Sequence, residues 1–234
     1  MVQSDTIYIT RADKGGAILI LDSTTVLEII KKELEDTSKY CCLEKDPRPE
    51  IKKLLKNTVV SHEEEGLISP GNRFLITGYT DKGGMSQHPD FSISSPYVYP
   101  LFKIHKLSKE DIVCKKIPPT RMVTGSTGVP KYRLGVFLDF TLKPVVLQYC
   151  GNEYIKDTTH FIQRLYAEKD SFTLPGLVAT LDFVPLYPTI RRDLLLLAVR
   201  HALQTSEYTE DSINMILDLV SLSIENSVVF FKGI

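Results

Sequence analysis

Residues 7–22 read IYITRADKGGAILILD. Two β-rich runs, IYIT at 7–10 and AILILD at 17–22, lie on either side of the segment Arg11-Ala-Asp-Lys-Gly-Gly. Runs of β-branched residues around a short glycine-containing segment are typical of a hairpin. The stretch therefore predicts two paired strands whose connecting turn carries two basic side chains, Arg11 and Lys14.

Outward from this hairpin, stretches with helical and extended patterns alternate along the chain. Helices are expected from a cap at Thr24 or Thr25 to about residue 38, over about 49–65 and 130–149, from Asp157 or Thr158, over 193–203, and from Thr209 onward. Extended segments are expected at 99–106, 120–125, 177–183 and 228–231, and the proline-containing stretch 69–100 reads as loop. This mixture predicts an α+β fold.

Overall charge excludes little, because the formal net charge of the 234 residues is −1. Charge is uneven, however, and residues 101–143 hold nine Lys or Arg against three acidic residues. A local excess of this kind can face phosphate groups, and an exposed basic surface without a ligand is the alternative.

The remaining composition argues against a zinc site and against a membrane span. The four cysteines (Cys41, Cys42, Cys114 and Cys150) form no CxxC pair, and the five histidines show no metal-site spacing. No apolar run approaches the roughly 18 residues that a spanning helix needs. We therefore expect an intracellular protein in a reducing compartment, without a membrane partner.

A single carboxylate stands out in the stretch TLDFVPLYPTI at residues 180–190. Asp182 follows an apolar run that predicts a buried strand, where a carboxylate is costly unless a partner or a metal ion satisfies it. A helix cap or a salt bridge would explain Asp182 equally well from the local pattern alone.

Three basic stretches could accompany this carboxylate. KIHK at 103–106, read as a strand, would place Lys103 and His105 on one face. Arg121 lies in PPTRMVTGSTG at 118–128, beside a turn rich in Gly, Ser and Thr, and a guanidinium can grip phosphate oxygens through two donors. RADKGG is the third stretch. Each has a plain structural explanation as well, namely an exposed strand, a loop or a tight turn.

In this order, ADKGGAILILD, YPLFKIHK, the Pro-Pro-Thr-Arg segment and LDFVPLYPTI resemble the reverse transcriptase of Penelope-like retroelements. The resemblance implies a right-hand polymerase, with a fingers-like region at 1–170 and the beginning of the palm at 171–234. It further implies an RNA template, a DNA primer and deoxynucleotide triphosphates as partners, Mg²⁺ as cofactor, and a nuclear location.

The resemblance also assigns roles to single residues. Asp182 would be the first catalytic aspartate and, with the carbonyl of Phe183, a Mg²⁺ ligand in a two-metal mechanism. Arg121, with Lys103 or Lys106, would bind the triphosphate, and Tyr187 would sense the sugar 2′ position. The residues that would contact nucleic acid are Arg11, Lys14, Lys131 and Arg133.

The sequence departs from the family pattern at several positions. Pro185 and Pro188 stand where the family has other residues, Arg11 replaces a common proline, and no double-aspartate motif occurs. We therefore expect an incomplete palm, without its C-terminal part and the thumb, and no polymerase activity from this chain alone. A non-catalytic nucleic-acid-binding remnant and a protein-interaction domain remain as alternatives.

Overall fold

The structure is a computed structural model, and it describes residues 2–3, 6–78, 96–125, 131–171, 179–182, 190–225 and 227–231. It is a mixed α+β structure, as the sequence predicts. The chain packs into two compact units, of which the first comprises Met1–Asn57, Thr77–Tyr132 and Asn226–Ile234. The second comprises Thr58–Ile76 and Arg133–Glu225. This division concerns packing and leaves the expected boundary between fingers and palm near residue 170 a prediction.

The expected hairpin is present in unit 1. Strands β1 (Val2–Gln3), β2 (Ile7–Arg11) and β3 (Ile18–Asp22) form an antiparallel sheet in that order. Ile9 lies opposite Ile20, and Arg11 lies opposite Ile18. Gly15 and Gly16 have φ angles of +80° and +68°, a conformation that residues with a Cβ rarely adopt. The two glycines therefore allow the chain to reverse within this short turn.

Helix α1 (Ser23–Leu34) follows β3 without a loop. Its N-cap is Asp22, whose carboxylate accepts hydrogen bonds from the backbone N–H and the hydroxyl of Thr24. The prediction of Thr24 or Thr25 as the cap was therefore wrong by two or three residues, because the strand ends in a residue that itself caps well. The helix also stops earlier than residue 38.

A second antiparallel pair completes the β structure of unit 1. Strand β4 (Val98–Phe102) pairs with β5 (Thr120–Thr124), so that Leu101 lies opposite Arg121. Between them lies a short helix, α4 (Lys109–Val113), whose capping box joins Ser108 and Asp111. Strand β5 agrees with the predicted segment 120–125. The segment 228–231 is not a strand, and among the described residues it contributes one bridge, between Tyr97 and Phe230.

One apolar cluster joins these elements of unit 1. Its buried members come from both strand pairs and from α1, and they are Tyr8, Leu19, Val26, Ile30, Val98 and Phe102. Burial raises the pKa of Tyr8, so its phenol stays neutral at physiological pH. The cluster holds the hairpin and the β4–β5 ribbon against the same helix.

Helices dominate the chain outside these strands. They are α2 (Arg48–Glu64, whose residues from Thr58 belong to unit 2), α3 (Pro70–Thr77), α5 (Tyr132–Cys150), α6 (Thr158–Ala167), α7 (Arg192–Gln204) and α8 (Glu210–Ile224). Asp157 and Thr209 cap α6 and α8 as expected. Helix α5 runs through Pro144, and α3 lies in a stretch that read as loop.

The core of unit 2 is built from apolar faces of these helices. Leu134, Leu203 and Leu219 are fully buried, one each on α5, α7 and α8. Arg73 on α3 is buried as well, and its Nε lies 2.7 Å from the carboxylate of Glu63 on α2. The helical periodicity of the sequence therefore identified most of this unit correctly.

Candidate functional site

The turn of the hairpin is hydrogen-bonded to the β4–β5 ribbon through Asp13. Its backbone N–H donates to the carbonyl of Phe102 at the end of β4, at 2.9 Å, and the N–H of Ala12 closes the turn on the carbonyl of Ala17. The side chain of Asp13 is only 5% exposed. Its Oδ1 lies 2.5 Å from a terminal guanidinium nitrogen of Arg121 on β5.

This ion pair gives the buried carboxylate a charged partner. A carboxylate removed from water is unfavourable unless it is paired and hydrogen-bonded, and Arg121 meets both requirements. The Arg121 side chain remains 55% exposed while one of its nitrogens donates to Asp13. A guanidinium has five N–H donors, so the contact fixes its orientation without using its full donor capacity.

Asp13 was not among the residues that the sequence singled out. The motif ADKGG drew attention to its basic neighbours, because exposed cations are the usual sign of a phosphate site. The one signal for Asp13 in the sequence is its position, because a carboxylate between two strands needs a cation. The sequence does not show that Arg121 is that cation.

KIHK is not a strand, and the expected alternation of its side chains was wrong. Strand β4 ends at Phe102, and Ile104–Lys106 forms one turn of 3-10 helix. The N–H of Lys103 donates to the carbonyl of Pro119 at 2.8 Å, which places Lys103 beside the start of β5. Lys103 is half-buried and Lys106 is exposed.

Four of the expected basic residues therefore belong to one part of unit 1. Arg11 ends β2, Lys14 lies in the exposed part of the turn, and Lys103 and Arg121 lie where the ribbon meets that turn. The backbone contacts of Asp13 and Lys103 connect the three segments. The structure thus brings together the RADKGG turn, the beginning of KIHK and the Arg121 strand.

Lys131 and Arg133 lie farther along the chain, at the beginning of α5. Lys131 is half-buried and belongs to unit 1. Arg133 belongs to unit 2, where its Nε donates to the carbonyl of Leu75 at 3.3 Å. The role of both residues in contacting nucleic acid stays a prediction. For Arg133 the structure adds this hydrogen bond within its own unit.

The segment around Asp182 differs from the expected buried strand. Residues 179–182 have no regular secondary structure and all four are exposed, with Leu181 at 99%. For these residues the prediction of a buried strand was wrong, because no neighbouring strand pairs with them in the described chain. Phe183 and Tyr187, like the remainder of that strand, lie outside the described residues.

The described residues do not supply a metal site. Among them, no group of three His, Cys, Asp or Glu side chains is placed to hold a metal ion. Because a two-metal mechanism needs several carboxylates around the ions, Asp182 as described does not fit a Mg²⁺ centre by itself. The four cysteines are free thiols, and none is buried.

Two further findings concern membrane spans and similarity to known proteins. In the part of the chain that the structure describes, no helix is both long enough and apolar enough to cross a membrane. Comparison with protein-family models, with curated proteins and with solved structures gave no match for this chain.

Proposed function

We propose that this chain is the fingers region and the beginning of the palm of a reverse transcriptase, and that it binds the triphosphate of a deoxynucleotide through Arg121. The observation that carries the proposal is the contact between the buried Asp13 carboxylate and Arg121. It unites two of the four motifs that resemble Penelope-like retroelements, although their residues are 108 positions apart.

The contact suits a phosphate-binding arginine for a physical reason. A flexible arginine loses side-chain entropy when it binds a ligand, whereas one already held by a carboxylate has lost part of that entropy on folding. Lys103 and Lys14 belong to the segments that meet at this point and add positive charge. Phosphate oxygens are suitable acceptors for such an arrangement.

Catalysis by these 234 residues alone is not part of the proposal. The sequence holds no double-aspartate motif, and the described residues form no carboxylate cluster. In the complete enzyme Asp182 and the carbonyl of Phe183 would contribute to binding Mg²⁺, the cofactor of nucleotidyl transfer. Tyr187 would contact the sugar of the bound nucleotide.

A second candidate is a non-catalytic module that binds nucleic acid. The exposure of residues 179–182 favours it, because a metal-binding aspartate would be expected in a more enclosed position. Under this alternative the basic residues of unit 1 contact a nucleic-acid backbone, and Asp182 has no role in chemistry.

Nucleotide binding tests the first proposal directly. The probe is dTTP carrying a 3′-O-methylanthraniloyl fluorophore, titrated with the purified chain in Mg²⁺ buffer. Arg121→Gln should weaken binding about ten-fold or more, because it removes a charged hydrogen bond. Arg191→Gln is the matched control, since Arg191 also pairs with an aspartate at 2.5 Å but is exposed, at the N-cap of α7.

Two results would overturn the proposal. One is equal affinity of the Arg121→Gln and Arg191→Gln variants for the labelled nucleotide, with both variants folded by circular dichroism. The other is the absence of nucleotide binding by a wild-type chain that still binds RNA, which would favour the non-catalytic alternative. Primer extension that Asp182→Ala abolishes would instead contradict the expected inactivity of this chain.

A further inference from the structure

The ribbon of β4 and β5 has two faces of different character. Val98, Pro100 and Phe102 point into the core and are buried. The alternate residues form the other face, where Tyr99 lies opposite Val123 and Leu101 lies opposite Arg121. This second face, which we call the outer face, is partly or fully exposed along its length.

Two tyrosine rings occupy one end of the outer face. Tyr97, two residues before Tyr99, is 57% exposed, and the two ring centroids are 5.6 Å apart with an angle of 35° between the planes. Because Tyr97 buries little of its surface, it contributes little to the core, and burial does not explain why a tyrosine occupies this position.

Gly125 allows the Tyr97 ring to lie close to the ribbon. The N–H of Gly125 donates to the carbonyl of Tyr97 at 2.9 Å, which continues the ladder of β4 and β5 by one pair. A Cβ on Gly125 would lie 3.0 Å from both Cε1 and Cζ of the Tyr97 ring, closer than such contacts normally are. The ring therefore lies over backbone that carries no side chain.

Positive charge lies at the other end of the same ribbon. Arg121 is on the outer face itself, and Lys103 follows Leu101 by two residues, with its N–H bonded to Pro119. Aromatic rings beside a basic surface are the combination that single-stranded nucleic acids require, since bases stack on the rings and phosphates meet the cations. An apolar protein partner would gain nothing from the exposed charges.

We propose that the outer face of the β4–β5 ribbon is a stacking site for single-stranded nucleic acid, with bases on Tyr97 and Tyr99 and a phosphate near Lys103. This proposal builds on the proposed function, because it names where a template strand would meet the same unit that binds the nucleotide. Arg121 binds the nucleotide in the proposed function, whereas Tyr97 contacts only the single strand.

The absence of tryptophan from the sequence permits a direct test. Tyr97→Trp introduces one tryptophan, whose fluorescence a stacked base quenches. We expect saturable quenching by a 12-nucleotide oligouridylate. The matched control is Tyr166→Trp, at an exposed tyrosine of α6 in the other unit, and it should show no saturable quenching.

Affinity measurements on variants without an introduced tryptophan complete the test. Tyr97→Leu should weaken oligouridylate binding about 5- to 150-fold, the range found for loss of one base–aromatic stack. Tyr97→Phe should retain binding, because the ring remains.

The outcomes separate this inference from the proposed function. If the Tyr97→Trp signal stays unchanged and Tyr97→Leu binds oligouridylate as the wild type does, the stacking site is wrong, even where the labelled dTTP binds normally. If the wild type does not bind oligouridylate at all, the stacking site is also wrong. Loss of dTTP binding with intact tyrosine-dependent RNA binding contradicts only the proposed function.

Discussion

Two arginine–aspartate pairs in this protein have the same nitrogen–oxygen distance and different surroundings. Arg121 and Asp13 in unit 1 are 2.5 Å apart, as are Arg191 and Asp193 in unit 2. The Asp13 side chain is 5% exposed, whereas that of Asp193 is 59% exposed and both partners are at the beginning of α7. Distance alone therefore says little about what a pair does.

The difference lies in what would happen to each carboxylate without its arginine. Water can solvate Asp193 immediately, and an exposed pair of neighbours in sequence contributes little to stability. The Asp13 side chain is enclosed in the folded chain, and its backbone N–H bonds the hairpin turn to the ribbon. Only the Asp13 pair therefore couples a side-chain contact to the arrangement of two strand pairs.

The largest expected effect comes from removing Arg121. Arg121→Ala should lower the free energy of unfolding by about 2 kcal/mol, because it leaves the Asp13 carboxylate buried without that partner. For a chain of this length the melting temperature should fall by roughly 4–8 °C. Thermal unfolding followed by circular dichroism measures the change.

Arg191→Ala is the control for this measurement and should leave the melting temperature within experimental error. Equal effects of Arg121→Ala and Arg191→Ala would show that burial of Asp13 does not matter, and the contrast between the two pairs would then be lost.

A smaller effect is expected from the interaction between the paired side chains. A double-mutant cycle with Asp13→Ala and Arg121→Ala should give a coupling of about 1–2 kcal/mol, as contacting charged residues do. The corresponding cycle with Asp193→Ala and Arg191→Ala should give no measurable coupling. Additive effects at Asp13 and Arg121 would mean that each residue acts through other contacts.

The smallest effect concerns a third carboxylate, Asp22, which like Asp193 is exposed. The hydrogen bond from the Thr24 hydroxyl, with that from the Thr24 N–H, holds the pKa of Asp22 below its ordinary value of 3.8. The charged cap therefore stabilises the fold above pH 3.8, and this contribution disappears as the pH falls through the lowered pKa.

Asp22→Asn tests this pH dependence, because asparagine keeps a capping oxygen and cannot titrate. The variant should melt slightly below the wild type at pH 7, and the difference should shrink below pH 4. A difference that stays constant down to pH 3 would contradict the role of the charge.

The sequence predicted what depends on neighbours along the chain. The β2–β3 hairpin, strand β5 and helices α5 and α8 follow from local periodicity, turn residues and caps, and all four are present. Helix α3 was missed because Pro70 was treated as a breaker, although proline is well tolerated in the first turn of a helix.

What depends on distant residues was not predictable in the same way. The pairing of Asp13 with Arg121 joins residues 108 positions apart, and no local pattern records it. The wrong prediction of a strand at KIHK has a similar origin. Strand β4 ends at Phe102, opposite Thr120, where its partner strand β5 begins. For Asp182, an apolar run predicted a strand, but the described residues 179–182 have no strand to pair with.

The separation of Asp13 from Arg121 also has a consequence for synthesis of the chain. The hairpin segment is complete once Asp22 has been made, but Arg121 follows Asp13 by 108 residues. At about 5–20 residues per second, that interval lasts roughly 5–20 s. During this time the Asp13 carboxylate has no Arg121 to pair with, so the ion pair can form only after translation has passed Arg121.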